Sequence, residues 1–266
     1  MTLNLHEKKI KQKDHIPYRM AFAGGWIDQP FLSAHNPQPP GSMVVVSLQP
    51  TIQFLDRCGM GTSTRKVARQ IWGNEIPEGD PAILMQELYA SENKKKSAPS
   101  GSQDMVGIIY PGISRLDYDS NFECGYFPVH IESNTDPKIA DWLENVIYMV
   151  PVNQRPAGYD PLIEKNLDPN WIQRLGQTGK DCFKAIVSQD AIALGSSMNE
   201  CMTCWKNILP NTVKHSTIKV NLLEILASYQ QRYFGAMYSG CGGGYLYVVS
   251  DEPVPNSFKV KIRVTK

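Results

Sequence analysis

Gly59-Met60-Gly61-Thr62-Ser63-Thr64 sets two glycines ahead of three hydroxyl residues. Val67, Ala68, Ile71 and Trp72 follow at the i, i+1, i+4, i+5 spacing of one helix face. A helix N-terminus offers free backbone N–H groups and about half a positive charge. Glycines ahead of it let a phosphate approach the backbone closely. The hydroxyls of Thr62, Ser63 and Thr64 suit a phosphate or a Mg²⁺ ion. Arg65 and Lys66 fall in the first turn, where cations oppose the helix dipole by roughly 0.3–1 kcal/mol each. An anion at the tip removes that penalty. A second reading fits the same residues: a helix capped by Thr62 or Ser63, stopped at Gly73, with solvated basic residues. Ser239-Gly240-Cys241-Gly242-Gly243-Gly244 is another glycine cluster. It costs more backbone entropy than a turn requires, so close approach to a ligand or to another loop is expected. Neither segment is a Walker A loop or a GxGxxG after a strand.

Three further segments share this order along the chain. RMAFAGGWIDQPF (19–31) has the form Arg-x-x-x-Ala-Gly-Gly-x-x-Asp. SGSQDMVGIIYPGI (100–113) carries Gln103-Asp104, and LGSSMNECMTCWKNIL (194–209) precedes GAMYSGCGGGYLYVV (235–249). Together they resemble the GHMP kinase superfamily, in its sugar-1-kinase branch of heptose-7-phosphate kinases and fucokinases. The resemblance covers about residues 16–250. It implies an ATP- and Mg²⁺-dependent phosphotransferase acting on a sugar or sugar phosphate, with the anomeric hydroxyl as the expected acceptor; the cytoplasmic setting is expected separately, from the sparse cysteines.

The resemblance also assigns roles. Asp104 is the implied general base or orienting carboxylate, and Arg19 holds it ionised and neutralises the transferring phosphoryl group. Asp28 hydrogen-bonds sugar hydroxyls, beside Gly24, Gly25 and Trp26. Ser63 ligates Mg²⁺, with Glu87 on the following helix as the second ligand. Gly59, Gly61, Thr62, Ser63 and Thr64, with Ser239, Gly240, Gly242 and Gly243, line the phosphate site. Arg155, in VNQRPAGYD, contacts a sugar phosphate or is a solvated loop residue. Phosphoryl transfer asks mainly for positioning and charge stabilisation, which these residue types supply.

The chain departs from the family pattern in places. Trp26-Ile27 stands where the branch has Gly and Thr, so Trp26 narrows the sugar pocket or stacks on a sugar face. Thr64-Arg65-Lys66 replaces small residues, and Met237 replaces a common lysine. Residues 29–58 alone separate Asp28 from Gly59. The family places several more strands there, and part of its adenine pocket. Nucleotide binding is therefore expected to be weak and phosphate-dominated, with little preference for adenine over guanine. The competing reading is a degenerate relative that binds a sugar or nucleotide without transferring phosphate.

The elements that must position these residues follow from pattern. Strands are expected at 43–48, 51–55, 113–118, 126–132, 145–152, 245–250 and 258–264, the last alternating with period two. Helices are expected at 62–72, 81–91, 169–176, 178–188, 190–208 and 218–234. A composition change at 133–140 divides the chain into residues 1–135, with the first two glycine-bearing motifs, and 136–266, with the last. The resemblance implies an α+β fold: a trimmed N-terminal part like domain 2 of ribosomal protein S5, and a ferredoxin-like C-terminal α/β sandwich.

Bulk properties narrow the partners. In 266 residues, 42% are hydrophobic and 20% charged, the range of a globular protein. A net charge of +1 argues against a general nucleic-acid or polybasic membrane binder. No apolar run approaches the roughly 20 residues of a membrane span. MTLNLHEKKIKQKDH lacks an apolar core, so no secretory signal is expected. Six cysteines are too sparse for a disulfide scaffold, and Cys201 and Cys204 are expected as plain thiols on a helix. The five histidines show no ligand spacing. The expected partner is a small molecule, and a homodimer is compatible with the sequence.

Overall fold

The computed structural model describes residues 14–97 and 99–265. The polar N-terminal residues 1–13 lie outside the described residues. Four strands form one antiparallel sheet in the order β1 (Tyr18–Ala21), β2 (Gly41–Leu48), β3 (Ile113–Tyr118) and β4 (His130–Asn134). β2 is a run of β-branched and small residues and is buried throughout, because its two faces are both covered. A short helix α1 (Pro30–Ser33) links β1 to β2. Helices α2 (Thr62–Trp72), α3 (Pro81–Asn93) and α4 (Gln103–Ile109) lie between β2 and β3 in sequence. The expected Gly73 stop and the Pro81 first turn hold, but the expected Thr62 or Ser63 cap does not, because Gly61 precedes α2 and no side chain caps it. Gly73 ends α2 at φ 81°, and Asp80 caps α3 with Pro81 in its first turn.

After α5 (Pro137–Val146), a second antiparallel sheet forms in the order β5 (Ile147–Asn153), β7 (Gly243–Val249), β6 (Gly235–Gly240). Helices α6 (Pro169–Val187) and α7 (Ala191–Ile208) pack on each other. α6 also packs on β2 of the first sheet, and α7 on β6 of the second. α8 (Leu222–Arg232) packs on β6. One continuous core results, running from Ile16 to Ile262.

Three expectations are corrected and one strand is added. Residues 51–55 form no strand. Phe54 is buried edge-on against Tyr18 and Tyr245, which turns the segment inward and away from any ladder. Residues 169–187 form one helix, because Gly176 and Gly179 do not break it but let it lie on β2. β6 runs through GAMYSG, a strand hidden by its small residues. The alternation at 258–264 is real, with Val260 and Ile262 buried. Yet Phe258 bridges to Met149 and Ile262 to Leu48, so this segment spans two sheets and joins neither ladder.

Candidate active site

Arg19 on β1 and Asp104 in the first turn of α4 form an ion pair through Nη2 and Oδ1. The helix can lie this close to β1 because residue 107 is glycine; a Cβ there would fall inside the Arg19 side chain. Thr64 Oγ1 donates to Asp104 Oδ2 at 3.1 Å. Each carboxylate oxygen thus has one protein partner, and an ionised carboxylate accepts about four hydrogen bonds. Room remains for an acceptor hydroxyl. Arg19 is 6% exposed, and its Nε has no partner. Burial pulls its pKa below the ordinary arginine value. A buried cation of this kind asks for a second anion.

The two glycine segments meet each other. A Cβ on Gly59 would overlap the carbonyl of Ser239, and Ser239 Oγ donates to the Cys58 carbonyl at 2.6 Å. Close approach to another loop is therefore the structural role of Gly59 and Gly240. The contact sets the end of β6 beside the start of α2. Gly61, at φ 66°, precedes that helix and no side chain caps it. Its first N–H groups are left to other partners.

A cleft with two lobes opens around these residues. The smaller lobe, about 260 Å³, is lined by Arg19, Arg57, Gly61, Thr62, Ser63 and Lys66, among others. The larger, about 630 Å³, carries Gly25, Trp26, Phe31, Tyr126 and Trp205 with Glu92, Lys165, Ser239 and Gly240. Arg19, Gly59, Ser63, Asp104 and Arg155 line both. Trp26 holds φ 84° and meets Phe31 and Trp205 edge-on, each at 6.5 Å. Trp205 Nε1 donates to the Gly25 carbonyl at 3.0 Å, fixing the glycine turn from α7. Arg155 donates to the Arg57 carbonyl at 2.8 Å and to Cys241 Sγ at 3.2 Å, so it is held by the loops on both sides of the cleft.

The remaining sequence candidates stand behind or away from the cleft. Thr64 is fully buried and faces Asp104. Gly24 is packed under β2; Gly242 forms the β6–β7 turn with Cys241, where its N–H donates to the Thr212 carbonyl, and Gly243 opens β7 paired to Gly240. Glu87 is exposed and accepts from Trp72 Nε1 at 3.1 Å, off the cleft lining. The α3 carboxylate that faces the cleft is Glu92. One of its oxygens pairs with Lys96 at 3.0 Å; the other is buried without a partner. Leu84 and Leu88 are buried on α3, and steps of four place Glu92 at the end of their stripe. That period was the available signal.

Asp28 is buried behind Gln103, whose Nε2 donates to Oδ2 at 3.0 Å. Gln103 itself lines the cleft. Burial pushes the Asp28 carboxyl up to about 6, tempered by the Gln103 hydrogen bond. A carboxyl whose pKa is higher in the folded chain holds its proton better there. Its stabilising contribution is present below the ordinary aspartate range and is lost as pH rises to about 6. A displacement of that size corresponds to about 3 kcal/mol. Asp28→Asn is expected to remove this slope: denaturant unfolding from pH 4 to pH 6.5 should show stability falling in the parent relative to the variant.

Arg65 does not reach the helix-tip lobe. Its Nε donates to the Ile16 carbonyl at 2.8 Å, its Nη2 pairs with Asp14, and its guanidinium lies 4.1 Å over the Tyr18 ring. It clamps α2 to the chain entering β1. Hydrogen bonds to charged groups contribute about 1.5–3 kcal/mol. Arg65→Ala should lower the unfolding free energy by about that much, read by urea denaturation. An unchanged midpoint would remove the clamp role.

Among the described residues, no three His, Cys, Asp or Glu side chains converge on a metal site. Mg²⁺, however, is commonly held by one or two carboxylates with substrate phosphates and water. Glu92, with its unpartnered buried oxygen, and the Ser63 hydroxyl share the larger lobe and fit such an ion.

No family model matches the chain, and no curated protein matches its sequence. Solved structures do match its fold. The Methanococcus jannaschii mevalonate kinase aligns over 93% of this chain and 97% of its own, at 10% identity and a TM-score of 0.59. A Lactococcus lactis galactokinase, complexed with galactose, aligns over 94% and 92%, at 12% identity and a TM-score of 0.57. A D-glycero-D-manno-heptose 1-phosphate kinase from Bacteriodes thetaiotaomicron aligns over 93% and 95%, at 12% identity and a TM-score of 0.52. The chain therefore has the fold of these small-molecule kinases. No helix among the described residues is long and apolar enough to cross a membrane.

Proposed function

We propose that the chain is a GHMP-type kinase that transfers phosphate from Mg-ATP to a hydroxyl of a sugar or sugar phosphate, with the anomeric hydroxyl as acceptor. The observation that carries this reading is the Arg19–Asp104 pair at the shared wall of the two lobes, beside an uncapped helix tip. The smaller lobe takes the phosphates of the donor, on the Gly61 to Ser63 amides and Lys66. The larger lobe takes the acceptor. Its half-buried aromatic walls, Trp26, Phe31 and Tyr126, suit the apolar face of a sugar ring, and Lys165 suits an anionic substituent.

Asp104 accepts the acceptor hydroxyl proton, or orients that hydroxyl through a hydrogen bond. Arg19 holds Asp104 ionised from one side, and Thr64 fixes its second oxygen. Arg19 and Arg155 face the oxygens on which charge gathers during transfer. Ser63, which lines both lobes, and Glu92, which lines the larger, would hold a Mg²⁺ ion, which would supply neutralisation of phosphate charge. Asp28 acts through Gln103, orienting its amide toward the acceptor.

The same reading divides the chain at residue 135, with the larger lobe between the parts. Six free cysteines suit a reducing, cytoplasmic setting. The competing reading, a binder without transfer, draws on the short segment before Gly59; against it, the carboxylate, cation and helix tip face one cleft. A screen of sugars and sugar phosphates with Mg-ATP, read by release of ADP, tests the proposal. Acceptor-dependent turnover supports it. Sugar binding by calorimetry with no turnover on any tested acceptor would favour the binder.

A further inference from the structure

The smaller lobe differs in chemistry from the larger. Its rim is Asp56, Arg57 and Lys66, with Lys66 paired to Asp56 at 2.6 Å. The rim is latched from the other part of the chain: Arg57 Nη2 donates to the Pro156 carbonyl at 2.5 Å, and Gln154 Nε2 to the Asp56 carbonyl at 2.7 Å. The segment joining β2 to α2 holds one aromatic residue, Phe54, and its ring is turned into the core. Among the described residues, the single large apolar side chain on this lobe is Met60, which is fully buried. A nucleobase is recognised by stacking and by burial of an apolar face. Among the described residues, no aromatic ring lines this lobe and it has no open apolar slot; its flat groups are the Arg57 and Arg155 guanidiniums, and both are held by backbone carbonyls. What the lining does offer is Arg19, with an unpartnered buried Nε, Arg57, Lys66, Arg155 and free helix amides.

We propose that the donor site selects a magnesium-bound polyphosphate chain and leaves the nucleobase outside, so that inorganic tripolyphosphate is a donor alongside ATP. This rests on the kinase reading above and extends it to the class of donor. With tripolyphosphate, the acceptor oxygen forms a bond to a terminal phosphorus. The bond from that phosphorus to the bridging oxygen breaks, and its electron pair leaves on pyrophosphate. The acceptor proton passes to Asp104 and then to solvent. No oxidant or reductant is involved.

Calorimetry on the full chain with Mg²⁺ tests this, using tripolyphosphate, ATP, GTP and adenosine as probes. Tripolyphosphate is expected to bind as tightly as ATP and GTP, within about threefold, and adenosine not to bind at millimolar concentration. Lys66→Ala, at an exposed side chain, should weaken all three phosphate ligands by the same factor. ATP binding about tenfold or more tighter than both tripolyphosphate and GTP would overturn the inference and leave the kinase reading standing. Failure of all three phosphate ligands to bind at millimolar concentration would overturn the kinase reading, and the inference with it.

Discussion

Asp104→Asn removes most of kcat and leaves the fold intact. Asparagine keeps the size of the side chain; its Oδ1 can still accept from Arg19, while its amide now donates toward Thr64 Oγ1 where the carboxylate accepted. It cannot take a proton from the acceptor, and it brings no negative charge beside Arg19. General-base contributions are typically 10²- to 10⁴-fold, and the expected loss lies in that range. Arg19 loses its counter-charge while staying buried, so some stability is lost as well. Thermal denaturation separates that from chemistry, since a folded variant with unchanged ligand binding and lost turnover isolates the proton step. Thr64→Val is the graded control. It removes the 3.1 Å hydrogen bond to Oδ2 and leaves the charge. Its loss in kcat should be much smaller, because the carboxylate keeps its basicity and loses only one positioning contact. An Asp104→Asn enzyme retaining more than about half its turnover would take Asp104 out of the chemistry.

The sequence spoke most clearly where one local pattern suffices. Helix α2, its stop at Gly73, the Pro81 start of α3 and the β-branched β2 all follow from residues adjacent in the chain. Features that depend on distant partners were less legible. Phe54 reads as part of a strand until Tyr18 and Tyr245 draw it inward. The alternation of residues 258–264 carries the correct burial but not the pairing, because each end meets a different sheet. The same holds at the cleft. The glycine segments and the Gln103-Asp104 pair stand out by composition, and they do come together. The division of labour within them does not stand out. Two adjacent hydroxyl residues show this: Ser63 lines both lobes while Thr64, one residue later, turns about 100° around the helix to face Asp104. Arg65 looks like part of a phosphate site in one dimension and is a clamp in three.

Glu92→Gln weakens magnesium-dependent nucleotide binding, and Glu87→Gln does not. The two carboxylates lie on one helix and face different surroundings. Glu87 is exposed and accepts a hydrogen bond from Trp72, which glutamine can also accept. Glu92 faces the cleft with an unpartnered buried oxygen. Mg²⁺ favours hard anionic oxygen, and an amide carbonyl is a weaker ligand than a carboxylate. The loss at Glu92 is expected to be at least about tenfold in the apparent affinity for Mg²⁺ in the presence of ATP, the factor that about 1.4 kcal/mol carries. Binding of ATP without Mg²⁺ should move the other way or stay unchanged, since removing a carboxylate from the cleft relieves repulsion of the phosphates. That opposite sign distinguishes metal ligation from a structural role. Lys96 is partly exposed and can turn to solvent, and glutamine keeps an oxygen that accepts from it without a buried charge, so the variant should fold. Titrations of both variants with ATP at fixed Mg²⁺, and then with a chelator present, decide the matter. Equal losses with and without the metal would make Glu92 a packing residue, and a loss at Glu87→Gln instead would return the ligand role to the outer face of the helix.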